Sequence, residues 1–238
     1  MWNGKKISIV FPAYNEEENI AEAVKEFKSL VVVDEIVVVN NNSRDRTAEL
    51  AKAAGARVVN EEKQGYGYAM QRAYAEGSGD IIISAEPDGT FSAKDVYKLL
   101  AYSEDFEVVL GSRTNKLLVS EGANMFGFIN FGNVVVAKLL QFLHDGPTLT
   151  DCGCSMRLIH KSAYQKIKGN LTVGQSHFLP EMVIWILKKK IRCIEIPVNY
   201  HRRKGYSKIT GNFKGAWKTG INMIKLILFY KLKFLFSR

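Results

Sequence analysis

Five short runs of β-branched and aliphatic residues alternate with longer helical stretches, and this alternation constrains the fold more than any other feature of the chain. KISIVFPAY (6–14) reads as a strand ending at Pro12, and NEEENIAEAVKEFKSL (15–30) as a helix with acids in its first turn. EIVVVN (35–40) is a buried strand, SRDRTAELAKAAG (43–55) a helix closed by Gly55, and ARVVN (56–60) a short strand. KQGYGYAMQRAYAEGSG (63–79) leads into the strand DIIISA (80–85), a helix near 93–101 and the strand EVVLGSR (107–113). Strands separated by helices join through right-handed crossovers, so an α/β fold with a mostly parallel sheet flanked by helices is expected. With 238 residues, 47% of them hydrophobic, the chain can bury one sizeable core as a single domain with a tail.

In sheets of this kind ligands bind outside the carboxyl ends of the strands. PAYNE (12–16), NNNSRDRT (40–47), EPDGT (86–90) and GSR (111–113) all fall at such ends and should converge on one rim. EPDGT aims two carboxylates, Glu86 and Asp88, at that rim across a rigid proline. A phosphate ligand would be repelled there unless a divalent cation intervened. Mg2+ or Mn2+ takes oxygen ligands, commonly one or two carboxylates plus substrate phosphates, with the Thr90 hydroxyl or a water nearby. Taken alone, EPDGT also fits a strand-to-helix turn with capping acids, NNNS an Asx-rich turn, and GYGYA (65–69) a tight turn.

The formal charge of +9 points to phosphate-rich partners. The positive charge gathers late, in KKKIR (188–192), HRRKGYSK (201–208) and the lysine-studded tail, so a large anionic partner is expected at that end. Three cysteines, Cys152, Cys154 and Cys193, cannot all pair within the chain and lack structural-zinc spacing. The first residues carry no signal-type apolar run, and a reducing cytoplasm is expected. His144, His160, His177 and His201 show no metal spacing, and Glu181 reads as a helix-start charge.

In order, FPAYNEEENI, NNNSRDRT, GYGYA, EPDGT, GSR, DCGCSMRL (151–158), EIPVNY (195–200) and RRKGYSK (202–208) resemble glycosyltransferase family 2. Within that family they are most similar to the dolichyl- and polyprenyl-phosphate sugar synthases, over roughly residues 5–210. The resemblance implies a GT-A, Rossmann-like fold, a UDP- or GDP-sugar donor, a divalent metal and inversion at the anomeric carbon. Pro12, Ala13, Tyr14, Glu16, Asn40, Asn41 and Gly67 would then line the nucleotide pocket. Asn40 and Asn41 stand where the family usually has acids, which leaves base identity open, and Glu86 replaces the first acid of the metal motif. Arg113 and Arg203 match positions that hold phosphates, Ser207 and Lys208 a loop that could close over the diphosphate, and Asp151 an acid beside the sugar. Asp151 is either a base or an orienting group.

The tail, INMIKLILFYKLKFLF (221–236), is interrupted by Lys225, Lys231 and Lys233 and is short for a membrane span. Lys214, Lys218 and Lys225 share one helical face, the pattern of a basic interfacial helix. Residues 117–143 are similarly apolar. The expected organisation is a catalytic domain over 1–210 and a basic amphipathic membrane-surface tail over 211–238, peripherally bound at the membrane. Packing of both helices on the sheet or on a twin subunit is the alternative, and homo-oligomer formation stays open. The activity expected is sugar transfer to a polyprenyl or dolichyl phosphate, with no nucleic-acid partner. A glycan or protein acceptor, or a non-catalytic nucleotide-sugar binding protein, are the competing readings.

Overall fold

A computed structural model describes residues 1–123, 128–205 and 213–236. Among the described residues seven strands form one sheet: β1 (Ile7–Ala13), β2 (Glu35–Asn40), β3 (Arg57–Asn60), β4 (Ile81–Ser84), β5 (Val108–Ser112), β6 (Arg157–His160) and β7 (Cys193–Pro197). Their order across the sheet is β3-β2-β1-β4-β6-β5-β7. β1 pairs in parallel with β2 and β4, β2 with β3, and β5 with β7; only β6 runs antiparallel to its neighbours. The mostly parallel sheet expected from the alternation is therefore present. The exception, β6, is RLIH, a four-residue run with a charge at its head and no period to announce it.

Helices cover both faces. On one side lie α1 (Ile20–Lys28), α2 (Thr47–Ala53) and α4 (Asp95–Tyr102), packed with Ile9, Phe11, Val38 and Ile83. α1 shows why: Ile20, Ala23, Val24 and Phe27 fall at i, i+3, i+4 and i+7, one stripe, and all four are buried. The other side holds α3 (Tyr66–Glu76), α5 (Phe128–Leu143), α6 (Lys161–Ile167), α7 (Phe178–Lys188) and α8 (Phe213–Phe236). These helices bury Val10, Val37, Val39 and Ile82, the alternate residues of the same strands. β1 is buried along its whole length because both of its faces are covered. Each aliphatic side chain removed from water there contributes about 1.5–3 kcal/mol. After α2 the chain turns through Gly55 at φ +94, where a Cβ would lie 2.2 Å from Lys28 Nζ.

α8 covers most of the stretch read as a surface tail. Met223, Ile227 and Tyr230 are buried in the core beside α5 and α7, so one face of this helix is part of the domain. Its other residues include exposed Trp217, Leu228, Phe229, Leu232, Leu235 and Phe236. No helix among the described residues is long and apolar enough to cross a membrane.

Candidate active site

The carboxyl ends of β1, β2, β4 and β5 open into one cavity of about 1260 Å3. Its polar end is lined by Pro12, Ala13, Tyr14 and Glu16 after β1, Asn41 after β2, Glu86 and Asp88 after β4, and Arg113 after β5. Arg203 reaches in from the segment that follows β7. The four strand-end clusters and the late basic segment thus meet in one place.

Glu86 and Asp88 share a cation. Arg203 Nη2 lies 2.9 Å from Glu86 Oε2 and 2.6 Å from Asp88 Oδ2. Asp88 is 1% exposed, and its Oδ1 accepts from the Thr90 amide and hydroxyl. Its Oδ2 has the ionic contact but no hydrogen bond. Burial, and then the charge of Glu86, push Asp88 up to about 7. Burial, the largest influence, would push Glu86 up too, but the Arg203 charge, hydrogen bonds from Ser155 and Asp88 and the Arg113 charge together outweigh it and hold Glu86 below the usual carboxylate range. The donor set is two carboxylates, one with a buried oxygen lacking a hydrogen bond, which suits an oxygen-seeking divalent cation completed by phosphates and water. Among the described residues no group of three or more His, Cys, Asp or Glu side chains could hold a metal alone. Thr90, expected beside the metal, has its hydroxyl turned to Asp88 and serves to fix that carboxylate.

Asp151 and Arg113 form a bidentate pair. Arg113 Nε lies 2.8 Å from Asp151 Oδ2 and Nη2 lies 3.0 Å from Oδ1, while the Arg113 and Gly153 amides donate to the same carboxylate. Burial raises Asp151, but the Arg113 charge and these hydrogen bonds win and hold it below the usual range. A carboxylate so engaged is a weak proton acceptor and a good anchor. What it anchors is a guanidinium that also lies 5.3 Å from the Tyr200 ring centroid.

Sequence reading missed the residues that hold this pair. Glu195, on β7, accepts from the Thr150 and Asp151 amides and the Thr150 hydroxyl, fixing the turn that presents Asp151. Its signal was an acid set between isoleucines in CIEIP. Arg157 is completely buried, and its guanidinium donates to the carbonyls of Cys152, Cys154 and Leu179. It clamps the loop behind Asp151 to α7. The flanking thiols, Cys152 and Cys154, are buried and pushed up to about 12 by burial, and are inert as nucleophiles.

The nucleotide-side residues divide. Asn41 lines the cavity, but its amide is occupied: Nδ2 donates to the carbonyls of Glu61 and Lys63, and Oδ1 accepts from the Gly65 amide. Asn41 therefore shapes the 61–65 loop that walls the pocket. Asn40 lies outside the lining, bonded to Asn60 and the Ser43 amide. Gly67 also lies outside it; its amide donates to Gly174, and a Cβ would meet Val173 O at 2.2 Å, so it is a close-packing glycine. Ser207 and Lys208 fall outside the described residues.

The model of "Glycosyl transferase family 2" matches residues 8–168, more than half of the sequence. The chain belongs to glycosyltransferase family 2. Among its relatives is a dolichyl-phosphate hexose transferase of Haloferax volcanii, 28% identical over 229 residues, 95% of this chain and 96% of that one. A low-salt glycan biosynthesis hexosyltransferase of the same organism is 30% identical over 222 residues; the match takes in 89% of this chain and about half, 51%, of that relative. Glucosyl-3-phosphoglycerate synthase from Mycobacterium tuberculosis, solved with Mn2+, UDP-glucose and phosphoglyceric acid, superposes with a TM-score of 0.74 at 21% identity. That superposition spans 96% of this chain and 80% of the synthase chain, and shows the GT-A fold. The glycosyltransferase therefore has its strand-end rim at the place where its fold binds ligands.

The far end of the cavity is different in kind. It runs between α5 and α8, where Ile129, Val135, Val136, Ile221, Met223 and Ile224 line it, with Phe131 and Trp217 exposed beside it. One continuous, partly open cavity therefore joins a charged end to an apolar one.

Proposed function

We propose that this glycosyltransferase moves a hexosyl group from a nucleoside-diphosphate sugar to a polyprenyl or dolichyl phosphate, at the cytoplasmic face of a membrane to which it binds peripherally. The observation that carries the reading is the continuous cavity, charged at the strand ends and apolar between α5 and α8. A phosphate with a long hydrocarbon tail matches both ends, and a glycan or a peptide matches only the first. The dolichyl-phosphate hexose transferase relative supports the same acceptor class. Three buried, unpaired cysteines accord with a reducing compartment.

The charge state of the acceptor gives independent support. At the polar end Asp151 is engaged by Arg113, Glu86 and Asp88 by Arg203, and Glu16 accepts from Asn19. An acceptor hydroxyl would need one of these as a base. A phosphate arrives ionised: one of its oxygens attacks the anomeric carbon, the bond to the donor's diphosphate breaks, and the diphosphate leaves with the electron pair. No proton has to move. Attack opposite the leaving group inverts the anomeric centre. Arg113 and Arg203 supply forks suited to phosphate oxygens. Glu86 and Asp88 would hold Mg2+ or Mn2+, which offsets the charge that builds on the departing diphosphate. Asp151 aims Arg113 rather than accepting a proton.

The test incubates the full chain with a panel of UDP- and GDP-hexoses, Mg2+ or Mn2+, and one acceptor at a time in detergent. Sugar should appear on polyprenyl phosphate and not on the matching polyprenol, which keeps the tail and lacks the phosphate. Transfer to a glycan or protein with none to polyprenyl phosphate would overturn the acceptor assignment.

A further inference from the structure

The acid pair is held shut from both sides. Arg203 Nη2 stands between Asp88 Oδ2, at 2.6 Å, and Glu86 Oε2, at 2.9 Å, so a cation using both carboxylates must take the place of that nitrogen. The backbone around it is fastened. Two residues before, the His201 amide donates to Thr90 O at 2.8 Å. One residue after, the Lys204 amide donates to Asp88 O at 3.0 Å, Asn19 Nδ2 donates to Lys204 O at 3.1 Å, and Lys204 Nζ meets Glu22 on α1. Arg203 is thus delivered to the acids by the segment after β7, which is pinned to the loop that carries them.

A guanidinium makes a serviceable counter-ion for two carboxylates, but its planar fork finds a better partner in a phosphate, which it grips bidentately. The donor's diphosphate would enter the cavity that Arg203 lines, beside the acid pair. We propose that Arg203 is the resting cation of the Glu86 and Asp88 pair, and that the donor's diphosphate draws it away and so opens the pair to the divalent ion. The inference rests on the metal reading above and goes beyond it. One side chain then gates two ligands, and binding of each favours binding of the other by the same factor. The gate keeps a counter-charge on the buried Asp88 and the half-buried Glu86 between turnovers and ties metal loading to the presence of a donor.

The experiment uses the full chain without acceptor. Mn2+ binding is read by loss of the free-ion paramagnetic resonance signal, and nucleotide binding by calorimetry with UDP and GDP as probes. In wild type, Mn2+ alone should bind weakly and tighten markedly when the nucleoside diphosphate is added. In Arg203→Gln, Mn2+ alone should bind roughly tenfold more tightly, within the usual range of such couplings, and the added nucleotide should tighten it far less. Arg203→Lys, which keeps the charge and loses the fork, should fall between them, and it carries the test if the glutamine variant does not fold. Equal Mn2+ affinity in wild type and the variants without nucleotide would overturn the gate while leaving the metal site standing. Failure of every form to bind Mn2+, with or without nucleotide, would remove the metal reading itself, and the gate with it.

Discussion

Asp88, Asn41 and Asp151 at the strand ends are each 2% exposed or less, and each is held by two or more hydrogen bonds. On α5 and α8, by contrast, Phe131, Phe142, Phe229 and Phe236 are 56 to 86% exposed. The two regions meet in one cavity and are finished to different degrees. At the polar end each of the carboxylates Glu86, Asp88 and Asp151 is held by a guanidinium or by backbone and hydroxyl donors of the protein itself. On α5 and α8 it leaves large aromatic side chains exposed, as folded chains do where a ligand, a partner or a membrane surface is bound. Under the proposed function, electrostatics would fix the acceptor's head group and hydrocarbon contact would hold the rest.

The strongest way to break the contrast is to damage the polar end alone. Asp88→Asn removes one charge from the pair and puts an amide donor where Oδ2 faces Arg203, while its Oδ1 can still accept from Thr90. Transfer should fall by more than the ~100-fold that even an outer-shell change around a metal can cost. The melting temperature should hold or rise, since burial and Glu86 already penalise the ionised Asp88. The same environment gives a pH test. With Asp88 pushed up to about 7, protons compete with Mn2+ below that pH, so metal affinity measured by titration should drop as pH falls from 8 to 6. Activity that survives both Asp88→Asn and excess chelator would end the metal assignment.

The converse variant strips exposed apolar side chains of α8 beyond the cavity. Phe229, Leu232 and Phe236 are more than half exposed, so replacing all three with Ser should leave the fold and donor binding unchanged. Cosedimentation with anionic vesicles should weaken by roughly tenfold to a hundredfold, since even partial burial of each side chain is worth about 1 kcal/mol. Salt should release wild type only in part, because it screens Lys218 and Lys225 and leaves the hydrocarbon contact intact. Undiminished vesicle binding in the triple variant would place the contact elsewhere.

The same division explains what the sequence disclosed. Alternation of β-branched runs with amphipathic helices is a property of local periodicity, so the first five strands, α1 and the strand-end rim were legible, while β6 and β7 were not read as strands. Residues that act through one long-range contact were not. Glu181 looks like an ordinary acid in a helix's first turn, yet it is completely buried and accepts from the Thr172 and Val173 amides, the Thr172 hydroxyl and Tyr230 on α8. Nothing within a few residues of position 181 signals a partner 49 positions away. For the same reason α8 read as a separate tail: its lysines and aromatics are visible in sequence, but the pocket that receives Met223, Ile227 and Tyr230 is assembled by other helices.

That bond sharpens the comparison by asking how firmly the apolar region belongs to the body. Tyr230→Phe keeps the packing on Trp185 and Phe234 and deletes a single hydroxyl from a buried carboxylate. The expected cost is about 1–2 kcal/mol, near the value for a hydrogen bond to a charged group, read as a lower denaturant midpoint with unchanged slope. An altered slope or a second transition would mean instead that α8 separates from the rest before the sheet unfolds.

The smallest effect expected lies in the pairing of α5 with α8. His144, just past the end of α5, contacts Ile227 O on α8 through Nε2 at 3.1 Å and stands edge-on to Phe234. Burial lowers its pKa below the usual histidine value; the Ile227 carbonyl and Asp145 oppose that, and Lys231 and Lys188 reinforce it. A depressed value means the unfolded chain takes up this proton first as pH falls. The stability that neutral His144 contributes is therefore complete above the unfolded value of about 6.5 and is lost as pH drops through the lower folded value. Between pH 7.5 and 5.5 the melting temperature should fall by about 1–2 °C more in wild type than in His144→Gln, which cannot protonate. His160 and His177 are also lowered by burial, so only this difference between the two proteins isolates position 144. Identical pH profiles would mean that the α5 and α8 pairing does not sense the charge of His144, and that packing around Phe234 alone sets its stability.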